Sequence, residues 1–328
     1  MTRTTIRVAL ALTTFLTAGS ALAETVTIGH FGNPTPMQVA RAEGKFDAAT
    51  GWDIEWRKFG SGSEVIAAMA SGDIKLAELG SSPLAIATSQ GVELEMFMLA
   101  QVIGTAESLI VRDGAEIEAL EDLAGKRLAV PVGSTAHFSL MGALDHAGID
   151  AAEVTLLNMP PDQIAAAWEQ GAIDAAFIWQ PVQSQILETG TLLVGADETA
   201  EWGFPTFDGW VVNAEFADEN AEAVTAFAKT MDEANAAYLA DPAAWTAESD
   251  PVKTIAVETG AEAEQIPTIL EGFTFVPLSE QLGETWLGGA GETMRATAQF
   301  LADAGRIDQV AEDYSGFVNT EIGTAATQ

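Results

Sequence analysis

Short apolar segments of strand character alternate with helical segments along nearly the whole chain, and this alternation is what most restricts the fold. Residues 26–31 are an apolar run, and Trp52, Ile54 and Trp56 alternate at the two-residue period of a half-buried strand. Residues 64–70 read as a short helix behind Ser61 or Ser63 as cap. Residues 76–79 and 94–101 are further strand candidates, and a second block of the same style begins at 128–132. There the segment 135–147 carries Phe138, Met141 and Leu144 at helical spacing, with Gly148 where a terminating glycine belongs. Strands are expected at 154–157, 173–178 and 192–194, with a helix over 161–170 between the first two. After Asp218 the pattern is mostly helical, over 220–239, 263–271 and 293–304. Such alternation predicts an α/β fold with largely parallel sheets flanked by helices. The 328 residues suit two domains, and no low-complexity linker separates them. A joint made of strands that cross between the domains is therefore expected. A weak internal echo, Gly72-Asp73-Ile74 leading to Pro83 and Gly171-Ala172-Ile173 leading to Pro181, fits two similar units.

The first residues read as a cleavable secretory signal. Arg3 and Arg7 form a positive start, residues 8–16 are apolar, and Ala21-Leu22-Ala23 is a small-x-small cleavage site. Cleavage is expected before Glu24, which defines residues 1–23 as the signal peptide. The apolar run is too short to span a bilayer, so the mature chain is expected to be soluble and exported to the periplasm. The chain has no cysteine, which excludes disulfides, thiolate metal sites, a cysteine nucleophile and a lipid anchor on cysteine. A formal net charge of −34 excludes nucleic acid as a partner, because phosphate contacts need Lys and Arg. It otherwise describes a solvated, self-repelling surface.

Three places repeat one design, in which a strand ends in small polar residues and a helix follows. They are Leu79-Gly80-Ser81-Ser82-Pro83, Val132-Gly133-Ser134-Thr135 and Ile178-Trp179-Gln180-Pro181. Helix N-termini present unpaired N–H groups and a positive dipole end, so they suit an anion; plain helix capping explains each motif taken singly. The carboxyl ends of strands in an open α/β sheet are also where ligands bind. A zwitterionic ligand would need a carboxylate as well. Asp208 sits in an apolar, aromatic stretch, Pro205-Thr206-Phe207-Asp208-Gly209-Trp210, although a loop or capping Asp accounts for it too; Glu107 is a second candidate. Catalytic readings are poor. His30, His137 and His146 stand in unrelated contexts, and neither metal-ligand spacing nor a nucleophile elbow nor a phosphate loop is present.

Several stretches resemble the taurine-binding proteins of ABC importers, within the wider nitrate, sulfonate and thiamine-precursor binding superfamily. They are Ala49-Thr50-Gly51-Trp52 with Trp56-Arg57-Lys58-Phe59, Glu64-Val65-Ile66-Ala67-Ala68, and Leu79-Gly80-Ser81-Ser82-Pro83-Leu84. Ser134-Thr135-Ala136-His137-Phe138-Ser139-Leu140, Gly203-Phe204-Pro205-Thr206-Phe207-Asp208, Leu287-Gly288-Gly289 and Asp313-Tyr314-Ser315 continue the match. The loop Phe31-Gly32-Asn33-Pro34 departs from it, and Asp208 stands where a Glu is also familiar.

The resemblance implies a two-lobed periplasmic-binding-protein fold of type II with its ligand in the interlobe cleft. One lobe would comprise residues 24–105 plus 210–328, the other 106–209. It implies that Ser81, Ser82, Ser134 and Thr135 hold a sulfonate and that Asp208, with Glu107 in reserve, accepts the amine. Phe31, His137, Trp179, Gln180 and Trp210 would wall the cleft. The implied partners are taurine or a related small aminosulfonate, an ABC permease and its ATPase, with no cofactor and no metal; the chain would be a monomer and not an enzyme. The rivals are a binder of hypotaurine, alkanesulfonates or nitrate, and an enzyme of the thiamine-pyrimidine synthase kind, which would need a cysteine-bearing motif.

Overall fold

The computed structural model describes residues 23–328. The signal-peptide reading thus lies outside the described residues, except for Ala23. The chain begins with strand β1 (Thr25–His30), helices α1 (Met37–Ala42) and α2 (Lys45–Thr50), strand β2 (Asp53–Lys58), helix α3 (Gly62–Ser71), strand β3 (Leu76–Gly80), helix α4 (Ser81–Ser89) and strand β4 (Leu94–Ile103). It continues with β5 (Glu107–Arg112), β6 (Arg127–Val130), helix α5 (Thr135–His146), β7 (Thr155–Asn158), β8 (Ala175–Trp179) and β9 (Gly190–Gly195), then β10 (Phe207–Asn213) and, among later helices, β11 (Phe273–Thr274).

These strands make two sheets. One is six-stranded in the order β11-β4-β10-β3-β1-β2, the other five-stranded in the order β7-β6-β8-β5-β9. Neither is the largely parallel sheet that the alternation predicts; both are mixed. β1 pairs parallel with β2 and β3, whereas β10 lies antiparallel between β3 and β4. In the second sheet β6 pairs parallel with β7 and β8, and β5 lies antiparallel to β8 and β9. The reason is the route of the chain. After β4 it leaves the first sheet and enters the second as β5; after the second sheet it returns as β10. A strand that arrives from the other sheet enters at the opposite end, so it runs against its neighbours. The two crossing segments lie side by side, with the Ile103 N–H donating to the Thr206 carbonyl at 3.0 Å.

Apolar residues cover both faces of each sheet, and β3 is buried along its whole length. This accounts for its nearly unbroken apolar reading, since strands covered on both faces lack polar alternation. Trp210, expected in the cleft wall, belongs to this core. It shares a face with Asp208 but lies two residues further along β10, roughly 6.6 Å deeper, where it is fully buried with its ring 4.9 Å from Phe227. Burying such a side chain contributes about 1.5–3 kcal/mol.

Helices α3 and α4 meet where Gly62 faces Pro83. A Cβ at position 62 would sit 2.5 Å from Pro83 Cβ, a ring atom that cannot swing aside. Gly62→Ala is therefore expected to lower stability by about 1–3 kcal/mol through overpacking, and urea unfolding followed by circular dichroism measures it.

Candidate functional site

The two intruding strands create the site. Because β5 and β10 run against their neighbours, their first residues lie beside the carboxyl ends of those neighbours. Glu107 pairs with Trp179 at the end of β8, and Asp208 pairs with Gly80 at the end of β3. Both carboxylates thus reach the sheet edges where α/β folds bind ligands. Asp208 stands in a strand, not in the loop or cap position that sequence alone allowed.

A chamber with about 510 Å³ of empty space, counting its open mouth, lies between these edges. Glu107 and Asp208 line it, together with Phe31, Trp179 and Gln180 as the resemblance implies. Ser134 and Thr135 line it from the start of α5. The contribution from the α4 corner differs from expectation: Gly80 and Pro83 face the chamber, whereas Ser81 and Ser82 are buried beside it. The Phe207 N–H points at Ser81 Oγ at 3.5 Å, and the buried Ser82 Oγ has no partner. His137 does not line the chamber either. It follows Thr135 by two residues, about 200° around the helix, and its ring lies behind, with Nδ1 accepting a long hydrogen bond from the Gly133 N–H at 3.4 Å. Burial, then Arg306, lowers its pKa to about 4, so the ring is neutral.

Ser61, Gly62 and Asn33 also line the chamber, and sequence reasoning did not assign them to a ligand. Ser61 was visible only as a helix cap, which it is: its Oγ accepts the Glu64 N–H at 3.4 Å. The same role falls to Ser134, whose Oγ accepts the His137 N–H at 3.1 Å. Three helices of nine or more residues, α3, α4 and α5, thus begin at the chamber, and their first-turn N–H groups have no intrahelical acceptor. They supply neutral, dipolar donors for an anion. No Lys, Arg or His lines the chamber among the described residues.

The opposite charge is met by acids. Thr135 Oγ1 donates to Glu107 Oε1 at 2.7 Å, while Glu107 Oε2 is buried without a partner. Gln101, on β4, donates to Asp208 Oδ2 at 2.8 Å and to Glu78 Oε1 at 2.9 Å. Glu78, in the middle of β3, also accepts the Phe31 N–H at 2.9 Å and Asn33 Nδ2 at 3.5 Å. Burial pushes the Glu107 carboxyl up to about 7, a rise that the Thr135 hydrogen bond only partly offsets. Burial, and then the charges of Glu78 and Glu107, hold the Asp208 carboxyl well above the usual range. The arrangement can stabilise a small ligand with an anionic end and a cationic end. An outer cleft continues from the chamber past Phe31, Ser61, Trp179 and Gln180, which line both.

Comparison with known proteins bears on this geometry. Residues 32–245 match the family model described as NMT1/THI5 like. The taurine-binding periplasmic protein of Escherichia coli (strain K12) is 38% identical over 320 residues, covering 98% of each chain. A putative aliphatic sulfonates-binding protein of Bacillus subtilis (strain 168) is 27% identical over 213 residues, 64% of each chain. Among solved structures, the alkanesulfonate-binding protein SsuA from Xanthomonas axonopodis pv. citri bound to MOPS has the same fold. Its TM-score is 0.76 at 22% identity, over 92% of this chain and 99% of that one.

The raised acid has a consequence for stability. Between the ordinary 4.5 and about 7, the folded ligand-free chain binds protons at Glu107 that the unfolded chain releases. Stability from this group is present at low pH and is lost as pH rises through that window. Glu107→Gln is expected to remove this loss, gaining on the order of 1–3 kcal/mol relative to wild type between about pH 5 and about pH 8. Thermal melts of both proteins across that range check it.

Proposed function

The chain belongs to the NMT1/THI5-like family, and from that premise we propose that it captures taurine, or a closely related short aminosulfonate, outside the cytoplasm and delivers it to an ABC importer. Its relative of 38% identity is a taurine-binding periplasmic protein, which supports a binding role rather than an enzymatic one for this chain. The observation that carries the reading is the charge pattern of the chamber. Glu107 and Asp208 face a space lined by helix N-termini and hydroxyls, with no basic side chain among the described residues. Buried carboxylates without a cation are costly, and a ligand ammonium supplies one. Nitrate and alkanesulfonates lack an ammonium and leave that cost unmet.

In this reading the sulfonate oxygens take hydrogen bonds from the Ser134 and Thr135 end of α5, from the Ser61–Gly62 end of α3, and from the backbone N–H groups of Ser81 and Ser82. The ammonium lies against Asp208 and Glu107. Phe31 and Trp179 flank the two-carbon chain, and Gln180 offers an amide. The first lobe would hold residues 24–105 plus the return from the start of β10 to 328, and the second the residues between. The boundary at 209/210 moves back to about Thr206, because Phe207, Asp208 and Gly209 already pair within the first sheet. The lobes would hinge at the paired crossing segments near Ile103 and Thr206. Rotation about them would open the outer cleft and admit the ligand. The closed complex would then be presented to the permease, whose ATPase drives import.

Asp208→Asn keeps the shape and removes the charge. Truncating one partner of a buried charge pair costs roughly 2–5 kcal/mol, so taurine affinity should fall by at least about tenfold. Ethanesulfonate, which has no amine, should lose far less. Calorimetric titration of both ligands against both proteins decides this; equal losses would make Asp208 merely structural. The location is tested separately. Arg3, Arg7, the apolar residues 8–16 and Ala21-Leu22-Ala23 support export. N-terminal sequencing of an osmotic-shock fraction should read from Glu24, and an intact Met1 terminus would contradict it.

A further inference from the structure

We propose that Glu78, acting through Gln101, is a positioning residue for the ligand's amine, and that the two make the empty chamber hold a proton which the incoming ammonium displaces. This rests on the amine reading above and adds to it a residue and a proton count.

The geometry begins with a single amide nitrogen. Gln101 Nε2 donates to Glu78 Oε1 at 2.9 Å and to Asp208 Oδ2 at 2.8 Å. The two hydrogens of an amide lie in a planar fork, which sets the two carboxylate oxygens on the order of 5 Å apart. Both acids are buried, at 4% and 6% exposure. Like charges this close, with water largely excluded, resist ionising together.

The surroundings decide which acid takes the proton. Burial raises the Glu78 carboxyl as well, but three donors, from Phe31, Gln101 and Asn33, work against that rise, and Glu78 does not line the chamber. Asp208 has the Gln101 amide and lines the chamber. Asp208 is thus the acid whose proton a ligand can reach and replace. The other charged or titratable groups nearby are few. Glu107 faces it from β5 and discourages its ionisation. Behind the Phe31–Asn33 turn lies His30, whose pKa is lowered to about 4 by burial, Arg41 and Lys58, so it stays neutral. His137, behind α5, is neutral for the reasons given above.

The step balances simply. The Asp208 carboxylic acid loses its proton to solvent, and the resulting carboxylate pairs with the ligand's R–NH3+. Ligand affinity should therefore rise with pH through the range in which Asp208 holds its proton, and level off where the empty site is already ionised.

The experiment uses the full mature chain. Taurine is added to weakly buffered protein at about pH 7 with a pH indicator, and calorimetry is repeated in phosphate and Tris, whose ionisation enthalpies differ. Wild type should release about one proton per taurine bound from Asp208 and about half of another from Glu107, whose carboxyl stands at about 7, whereas ethanesulfonate should release none. Glu78→Gln should cut the release by at least about half while keeping taurine affinity within about tenfold. Glu78→Asp, which keeps the charge, should restore the release. The wild-type count stands whether or not the variants fold. Asp208-dependent taurine binding without proton release, or release unchanged in Glu78→Gln, overturns the relay and leaves the amine reading standing. No taurine binding by wild type overturns both.

Discussion

The site depends on a topological constraint: each sheet accepts one strand from the other, and that strand runs backwards. Parallel α/β sheets gather loops and helix N-termini at their carboxyl edges, so on their own they offer donors there. The intruding strands β5 and β10 bring the beginnings of strands to the same edges, and in this chain both beginnings are acidic, Glu107 and Asp208. Donors and acids meet in one chamber because the chain crosses between the sheets in both directions. The register pairs that fix Asp208 beside Gly80 and Glu107 beside Trp179 are backbone facts, so the placement of charge is as rigid as the sheets.

Packing reinforces this placement. Gly80 stands where the two halves of the site meet; a Cβ there would lie 3.0 Å from Thr135 Cγ2 and 3.3 Å from Asp208 Oδ1. Thr135 in turn donates to Glu107. One residue without a side chain therefore lets a helix N-terminus and two carboxylates share a narrow space. Low dielectric strengthens every polar contact made there and raises the cost of each one left unmade.

Much of the fold was legible in the sequence. The strands β1, β3, β6 and β8 and the helices α3 and α5 follow from apolar periodicity and caps, because local pattern and tertiary role agree. β5 and β10 were not read as strands. β5 opens with an acid, β10 carries one at its second position, and Gly209 weakens the strand signal in β10; their strand character comes from pairing with distant neighbours, which no local window contains. The site was legible in part for the same reason. Ser134 and Thr135 stood out at a helix start, and Asp208 and Glu107 as candidate carboxylates, Asp208 for its apolar surroundings; the chamber contains all four. Ser61 was hidden because a capping serine and a ligand-facing serine are the same signal. His137 was excluded by the helical period itself, which sets it across the helix from Thr135. Glu78 carried the strongest neglected signal: a carboxylate inside Leu-Ala-Glu-Leu, a run otherwise fit for a strand buried on both faces.

A chamber with no basic side chain among the described residues also shapes what arrives at it. The chain carries a formal charge of −34, so at low ionic strength its field repels a bare anion before any contact is made. A zwitterion carries no net charge, and its approach is governed by its dipole, which such a field can turn but not push away. Free nitrate and sulfate are thus disfavoured in the encounter itself, ahead of any difference in fit. At the ionic strength of seawater, where the screening length is only a few ångströms, that kinetic sieve fades and discrimination falls to the interior alone.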